Sequence, residues 1–122
     1  NQIRDYIHVS DLVRAKYLLT TRKNLKNNVF NLGTGIPLKL IEILDIINKI
    51  NKSAIKPKIT NEFRRGDIRS CFANINNLEA LNFICKKNIY DGLEEMILNS
   101  EVSQINNKKT YNFMKSKGLI IS

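Results

Sequence analysis

Histidine and cysteine are almost missing from this chain, which holds one histidine, His8, and two cysteines, Cys71 and Cys85. Two cysteines are too few for a disulfide scaffold, and with one histidine they lack the spacing of a zinc site. Both read as reduced, structural thiols, and the protein as cytoplasmic, with no metal. One histidine also leaves no Ser-His-Asp or Cys-His arrangement to build on, and His8, placed mid-strand, reads as a packed or hydrogen-bonded side chain. No apolar run reaches the roughly 18 residues of a membrane-crossing helix. No signal peptide is visible, and the start at Asn1 instead of Met favours a cut piece. Internal repeats are lacking as well. Acidic residues are scarce, 11 against 20 Lys and Arg, for a formal charge of +9. An excess of that size suggests an acidic partner. Much of it, however, follows from a composition crowded with Asn, Ile and Lys, the habit of an AT-rich coding sequence. The basic residues are scattered, and no aromatics interleave with them as a single-strand stacking platform requires. Phosphate as a ligand group fits; nucleic acid and membrane do not.

What is present suits one domain with a modest core: 122 residues, 43% of them hydrophobic. Asp5-Tyr6-Ile7-His8-Val9 alternates and predicts a short strand. Ser10 is a good N-cap, and Leu12, Ala15 and Leu19 recur at helical spacing, predicting a helix over 11–21. Val29-Phe30-Asn31-Leu32 predicts a second strand, closed by Gly33-Thr34-Gly35. From Pro37 and Lys39 onward, Leu40, Ile43, Leu44, Ile47 and Ile50 form the clearest apolar stripe of the chain. Lys56 to Thr60 is a candidate edge strand, where Pro57 is tolerated, and Cys71 to Ile75 a short extended piece. Asn76 is placed to cap a helix carrying Leu78 and Leu81, and Asn88 one carrying Leu93, Met96 and Ile97. Beyond Ser100 the chain turns polar, with a weak apolar finish at Leu119-Ile120-Ile121. The expected fold class is α/β in the mixed sense, short strands with about four helices.

The chemistry concentrates in Glu62-Phe63-Arg64-Arg65-Gly66-Asp67-Ile68-Arg69. Guanidinium is a planar, permanently charged fork suited to phosphate oxygens. Gly66 permits a sharp turn or a close approach to a ligand, and the Asp67 carboxylate can accept from sugar hydroxyls. Together they suit a phosphorylated sugar, against the plainer reading of a solvated basic loop. Other motifs carry less. Gly33-Thr34-Gly35 lies between a strand and a helix, yet the dinucleotide fingerprint needs a third glycine where Leu38 stands, so it reads as a tight turn. Tyr111 and Lys115 match Tyr-x-x-x-Lys, but tyrosine titrates near pH 10 and no pocket-building sequence accompanies it. Glu94 and Glu95 read as the solvated side of a helix.

Four segments in order resemble the C-terminal part of the extended short-chain dehydrogenase/reductases, the NAD-dependent nucleotide-sugar epimerases and dehydratases. Arg4-Asp5-Tyr6-Ile7-His8-Val9-Ser10-Asp11 resembles that family's Arg-Asp-aromatic-aliphatic-His/Tyr-Val-x-Asp segment. Val29 to Gly35 resembles its Phe-Asn-Leu/Ile-Gly-Thr/Ala-Gly turn, Arg64-Arg65-Gly66-Asp67 its Arg-x-Gly-Asp loop, and Ile89 to Ile97 its closing helix. The run Gly66 to Ala73 is similar to that of epimerases acting on UDP-glucose-like or dTDP-rhamnose-like sugars. The resemblance implies that Arg4 and Arg64 bind the diphosphate of a nucleotide sugar and that Asp67 holds its ribose. Arg65 falls where the family varies and is expected to be exposed.

The sequence departs from the family at Asn74, where Asp is usual, and at Leu81-Asn82-Phe83, where a Leu-Gly-aromatic turn is usual. The resemblance divides the chain into a substrate-binding region, 1–99, and a polar tail, 100–122. The family's Rossmann N-terminal domain, with its NAD loop and its Ser/Thr and Tyr-x-x-x-Lys catalytic set, precedes the Arg4 segment and is absent here. No catalytic or cofactor-binding residue is therefore assigned, and the chain alone is expected to be inactive. The intact enzyme would be an NAD-dependent 4-epimerase of UDP- or dTDP-hexoses, able to form a homodimer. Dehydratase or reductase chemistry of the same family and a stand-alone binding module are the alternatives, with nucleic-acid binding the least favoured.

Overall fold

A computed structural model describes residues 2–27, 29–100 and 107–121. In chain order the elements are β1 (Ile3–Arg4), α1 (Val9–Thr21), β2 (Leu38–Lys39), α2 (Leu40–Ile50), β3 (Phe63–Arg64) and β4 (Ser70–Cys71). There follow α3 (Asn76–Glu79), α4 (Ile89–Asn99), α5 (Asn107–Ser116) and β5 (Ile120–Ile121). β1 is the centre of a three-stranded sheet ordered β2-β1-β4. It runs antiparallel to β2, with Ile3 opposite Lys39 and Arg4 opposite Leu38, and parallel to β4, with Ile3 opposite Ser70 and Arg4 opposite Cys71. A second ribbon joins β3 to β5 antiparallel, pairing Arg64 with Ile120. The mixed α/β expectation holds, with five helices among the described residues, the fifth in the C-terminal segment.

Several local expectations change for identifiable reasons. The first ladder falls on Ile3–Arg4 instead of residues 5–9, because the Asp5 carboxylate takes the backbone donors of Thr34, Gly35 and Ala73. α1 begins at Val9, and its N-cap is His8, whose Nδ1 accepts from the Ser10 amide at 3.2 Å; Ser10 lies inside the helix. Residues 29–32 form no ladder. They run past the α3 region instead, where Asn31 donates to Asn74 O and Asn77 donates to Val29 O. Residues 56–60 are not a strand either. Just before them the Asn48 side chain takes both backbone groups of Ile55, donating to its carbonyl and accepting from its amide. Of the extended piece expected at 71–75 only Cys71 lies in a strand, the short β4, and residues 72–75 form no ladder. α3 is a single turn that already includes Asn76, so Asn76 is not its cap. At α4 the expectation stands: Asn88 Oδ1 accepts from Asp91 N at 2.9 Å.

The core is small. Ala15, Leu78 and Phe83 are buried, with Leu18, Leu19, Phe30, Leu32 and Cys85 packed around them. The α2 stripe lies against α4, yet no α2 residue is fully buried. On α1 the outward positions Val9, Val13 and Tyr17 are apolar and at least 59% exposed. Both cysteines are free thiols, Cys71 exposed and Cys85 half-buried. Among the described residues no helix is long and apolar enough to cross a membrane.

Candidate functional site

The sheet order brings distant charges together. β1 places Arg4 beside β4, and the Ile3 amide donates to Arg69 O at 2.9 Å, tying the end of the basic loop to β1. Within that loop Asp67 N donates to Arg64 O at 3.1 Å, closing a turn whose third residue, Gly66, has φ +80°. A type II turn needs positive φ at that position, which explains the glycine. The turn aims Asp67 back at β1. Arg4 donates to Asp67 Oδ1 at 3.0 Å and Gln2 Nε2 donates to Asp67 Oδ2 at 2.9 Å. The other Arg4 nitrogen donates to Ile3 O at 2.8 Å, so the guanidinium is held from two sides.

Arg64, Asp67, Gln2, Glu62, Phe63 and Ile120 line one open groove of about 390 Å³. Among the described residues no carboxylate pairs with the Arg64 guanidinium. Arg65 is exposed, as the sequence implied. Arg64 and Asp67 share the groove, while Arg4 is not among its lining residues and joins them through its bond to Asp67. Sequence reading missed Gln2, an ordinary amide just ahead of Arg4, and Ile120, which reaches the groove only through the β3–β5 pairing.

Two other carboxylates build the frame. Asp5 accepts from Thr34 N and Oγ1, Gly35 N and Ala73 N, pinning two segments to one side chain. Burial pushes its carboxyl up, but those hydrogen bonds outweigh burial and hold it below the usual carboxylate range. Asp11 is fully buried, accepting from Lys86 N and Lys87 N at 3.0 Å each and from the Arg14 guanidinium. Its carboxyl too is held below the usual range: burial raises it, and the Lys87 and Lys86 amides with Arg14 more than reverse that.

The Gly33 turn serves the Asp5 node. A Cβ built at Gly33 would lie 2.5 Å from both Ala73 Cβ and Asp5 Oδ2, so the glycine is there for lack of room. Gly33→Ala is expected to lower the thermal midpoint by the equivalent of about 1–3 kcal/mol, the usual cost of overpacking. A midpoint within about 1 °C of the parent would show that the node is not packed as described.

The remaining motifs have local uses. His8 caps α1, and its Nε2 stands 3.5 Å from Glu95 Oε2. Tyr111 donates its hydroxyl to the Glu62 carboxylate, which holds the phenol proton in place and pushes Tyr111 above its ordinary value. Lys115 Nζ lies 5.8 Å from the centre of its ring. A larger cavity of about 670 Å³ lies among Tyr6, Ile36, Leu38, Ile75, Phe83 and Cys85. It is mainly apolar and includes none of the three predicted charges. Among the described residues no group of three or more His, Cys, Asp or Glu side chains could hold a metal ion.

No protein-family model matches the chain. It is 31% identical over 112 residues to the UDP-glucose 4-epimerase of Haemophilus influenzae, covering 89% of this chain and 32% of that protein. In structure it is similar to the Thermotoga maritima UDP-glucose 4-epimerase crystallised with UDP-glucose. The TM-score is 0.65 and the identity 28%, over 76% of this chain and 29% of that one. It is also similar to MoeE5 in complex with UDP-glucuronic acid and NAD, with a TM-score of 0.61 and 29% identity over 75% of this chain and 31% of that one. The chain spans about a third or less of the length of the curated relatives it matches.

Proposed function

We propose that this chain, similar over most of its length to UDP-glucose 4-epimerases, is the C-terminal portion of a nucleotide-sugar epimerase of the short-chain dehydrogenase/reductase family and binds the nucleoside diphosphate half of a UDP-sugar. Arg64 places its fork on the diphosphate, Arg4 supplies the second cation, and Asp67 takes the ribose hydroxyls. One observation carries the reading: Arg4 and Asp67, far apart in sequence, are hydrogen-bonded at 3.0 Å, with Arg64 lining the groove that Asp67 enters. Uracil is the favoured base because both similar structures hold UDP-sugars. The parent reaction is then 4-epimerisation of a UDP-hexose, with these residues binding and orienting the substrate.

NAD belongs to the family's chemistry, yet the Gly33-Thr34-Gly35 turn does not fit it. The Thr34 and Gly35 amides that a dinucleotide phosphate would need are bonded to Asp5, and no space remains over Gly33. The test is calorimetric titration of the chain with UDP, dTDP and NAD, alongside Arg64→Ala. Saturable UDP binding is expected, weakened about ten- to hundredfold by the substitution, as for loss of charge-assisted hydrogen bonds. Silence with UDP, or binding indifferent to Arg64, would count against the assignment. Tight NAD binding would place the site elsewhere.

A further inference from the structure

The C-terminal segment is a polar tail by sequence, but it is built onto the Arg64–Asp67 loop. β5 pairs with β3, setting Ile120 opposite Arg64, and the Arg65 amide donates to Leu119 O at 3.0 Å. The reversal that brings β5 there is specific. Leu119 N donates to Met114 O and Gly118 N to Lys115 O, both at 3.0 Å, with Gly118 at φ +66°. That is the paired-bond arrangement of a Schellman helix end, in which glycine takes the left-handed position. On the other side of the loop, the Tyr111 hydroxyl donates to both oxygens of Glu62, at 2.8 and 3.0 Å. The loop is therefore held immediately before Phe63 by a side chain and along Phe63–Arg65 by backbone bonds, all from the C-terminal segment. Ile120 also forms part of the groove wall beside Arg64 and Asp67.

The geometry points to α5 and β5 as a latch that positions the Arg64–Asp67 loop, with Tyr111 as its positioning residue and Ile120 as the apolar wall next to the ligand. This rests on the nucleotide-sugar reading of the groove and extends it to the C-terminal segment. A free loop of this composition would sample many backbone states, and each would aim Arg64 and Asp67 differently. Fixing one of them before the ligand arrives removes that ordering cost from binding. The phenol's place is structural: its proton is engaged with the Glu62 carboxylate at the groove's edge.

The experiment pairs UDP titration with amide hydrogen exchange at Arg65, on the full chain and on Tyr111→Phe, Gly118→Val, Glu62→Leu and Glu62→Gln. Tyr111→Phe and Gly118→Val are expected to weaken UDP about three- to tenfold. They should also speed Arg65 exchange by about fivefold or more while amides of α1 and α4 keep their protection. Glu62→Leu should speed Arg65 exchange as Tyr111→Phe does. Glu62→Gln, whose amide oxygen can still accept from Tyr111, should restore the protection; a general loss of stability would not follow that rescue pattern. Unchanged affinity and unchanged Arg65 exchange in both Tyr111→Phe and Gly118→Val would overturn the latch and leave the nucleotide-sugar reading intact. A parent chain that takes no UDP would overturn that reading instead. The latch is then judged on exchange alone, supported by acceleration in Tyr111→Phe and overturned by none.

Discussion

Asp11→Ala is expected to destabilise the chain strongly, by about 2–5 kcal/mol. The carboxylate is fully buried and receives two backbone amides, Lys86 and Lys87, plus the Arg14 guanidinium. Removing it orphans both amides and leaves Arg14 without its anion. Arg14 is itself 38% exposed, so the cost comes mainly from the two orphaned amides and the lost charge-assisted bonds, about 2–5 kcal/mol in all. A single domain has only about 5–15 kcal/mol in hand, and the fully buried apolar core here is Ala15, Leu78 and Phe83. Urea denaturation followed by helical circular dichroism measures it. Val13→Ala, at an outward site of the same helix that is 59% exposed, should move the midpoint by about 0.5 kcal/mol at most. If Asp11→Ala unfolded no more easily than Val13→Ala, the buried node would not be holding the 86–87 segment to α1.

Asp5→Ala is expected to cost about 2–4 kcal/mol, since the side chain satisfies Thr34, Gly35 and Ala73 together. It carries a pH signature as well. The folded carboxyls of Asp5 and Asp11 both lie below their ordinary value. For a group whose folded pKa is depressed, the unfolded chain takes up protons first as pH falls. The stabilisation is therefore full above the unfolded value of about 3.9 and is lost as pH drops through the folded one. The urea midpoint of the parent should be nearly level from about pH 7 to 5 and fall below about pH 4. In Asp5→Ala the start should be lower and the acid-side fall shallower, because one contributor is gone. An equally steep fall in the variant would mean that Asp5 is not among the carboxylates that set acid stability.

These two aspartates show why part of the frame was hard to read. Asp11 looks like an ordinary first-turn helix residue, favourable there for its charge. Nothing nearby in sequence announces that Lys86 and Lys87 will present backbone amides to it. Its one local signal is its position four residues before Ala15, on the inward side of α1. Asp5 was read as the start of a strand, a role that its bonds to Thr34, Gly35 and Ala73 displace. The strand expected at residues 29–32 failed for a related reason. β-prone residues become a strand only beside a partner, and there the contacts with the neighbouring α3 region run through the Asn31 and Asn77 side-chain amides instead of a ladder. Helices fared better, because α1, α2 and α4 carry their periodicity within their own residues.

By itself the sequence determined the helical faces of α1, α2 and α4, the Asn88 cap, the glycine turns and the loop that bears Arg64 and Asp67. Each depends on residues within a few positions of one another, where backbone preference and side-chain spacing act directly. Only the tertiary structure decided that Arg4 bonds to Asp67, that Gln2 joins them, and that the C-terminal segment returns to pair with Arg64. Those contacts span some sixty residues, and they depend on which short strands find each other. For strands of two residues, local propensity is too weak to choose the partner; the choice falls to the buried carboxylates and the small core that fix where each segment lies.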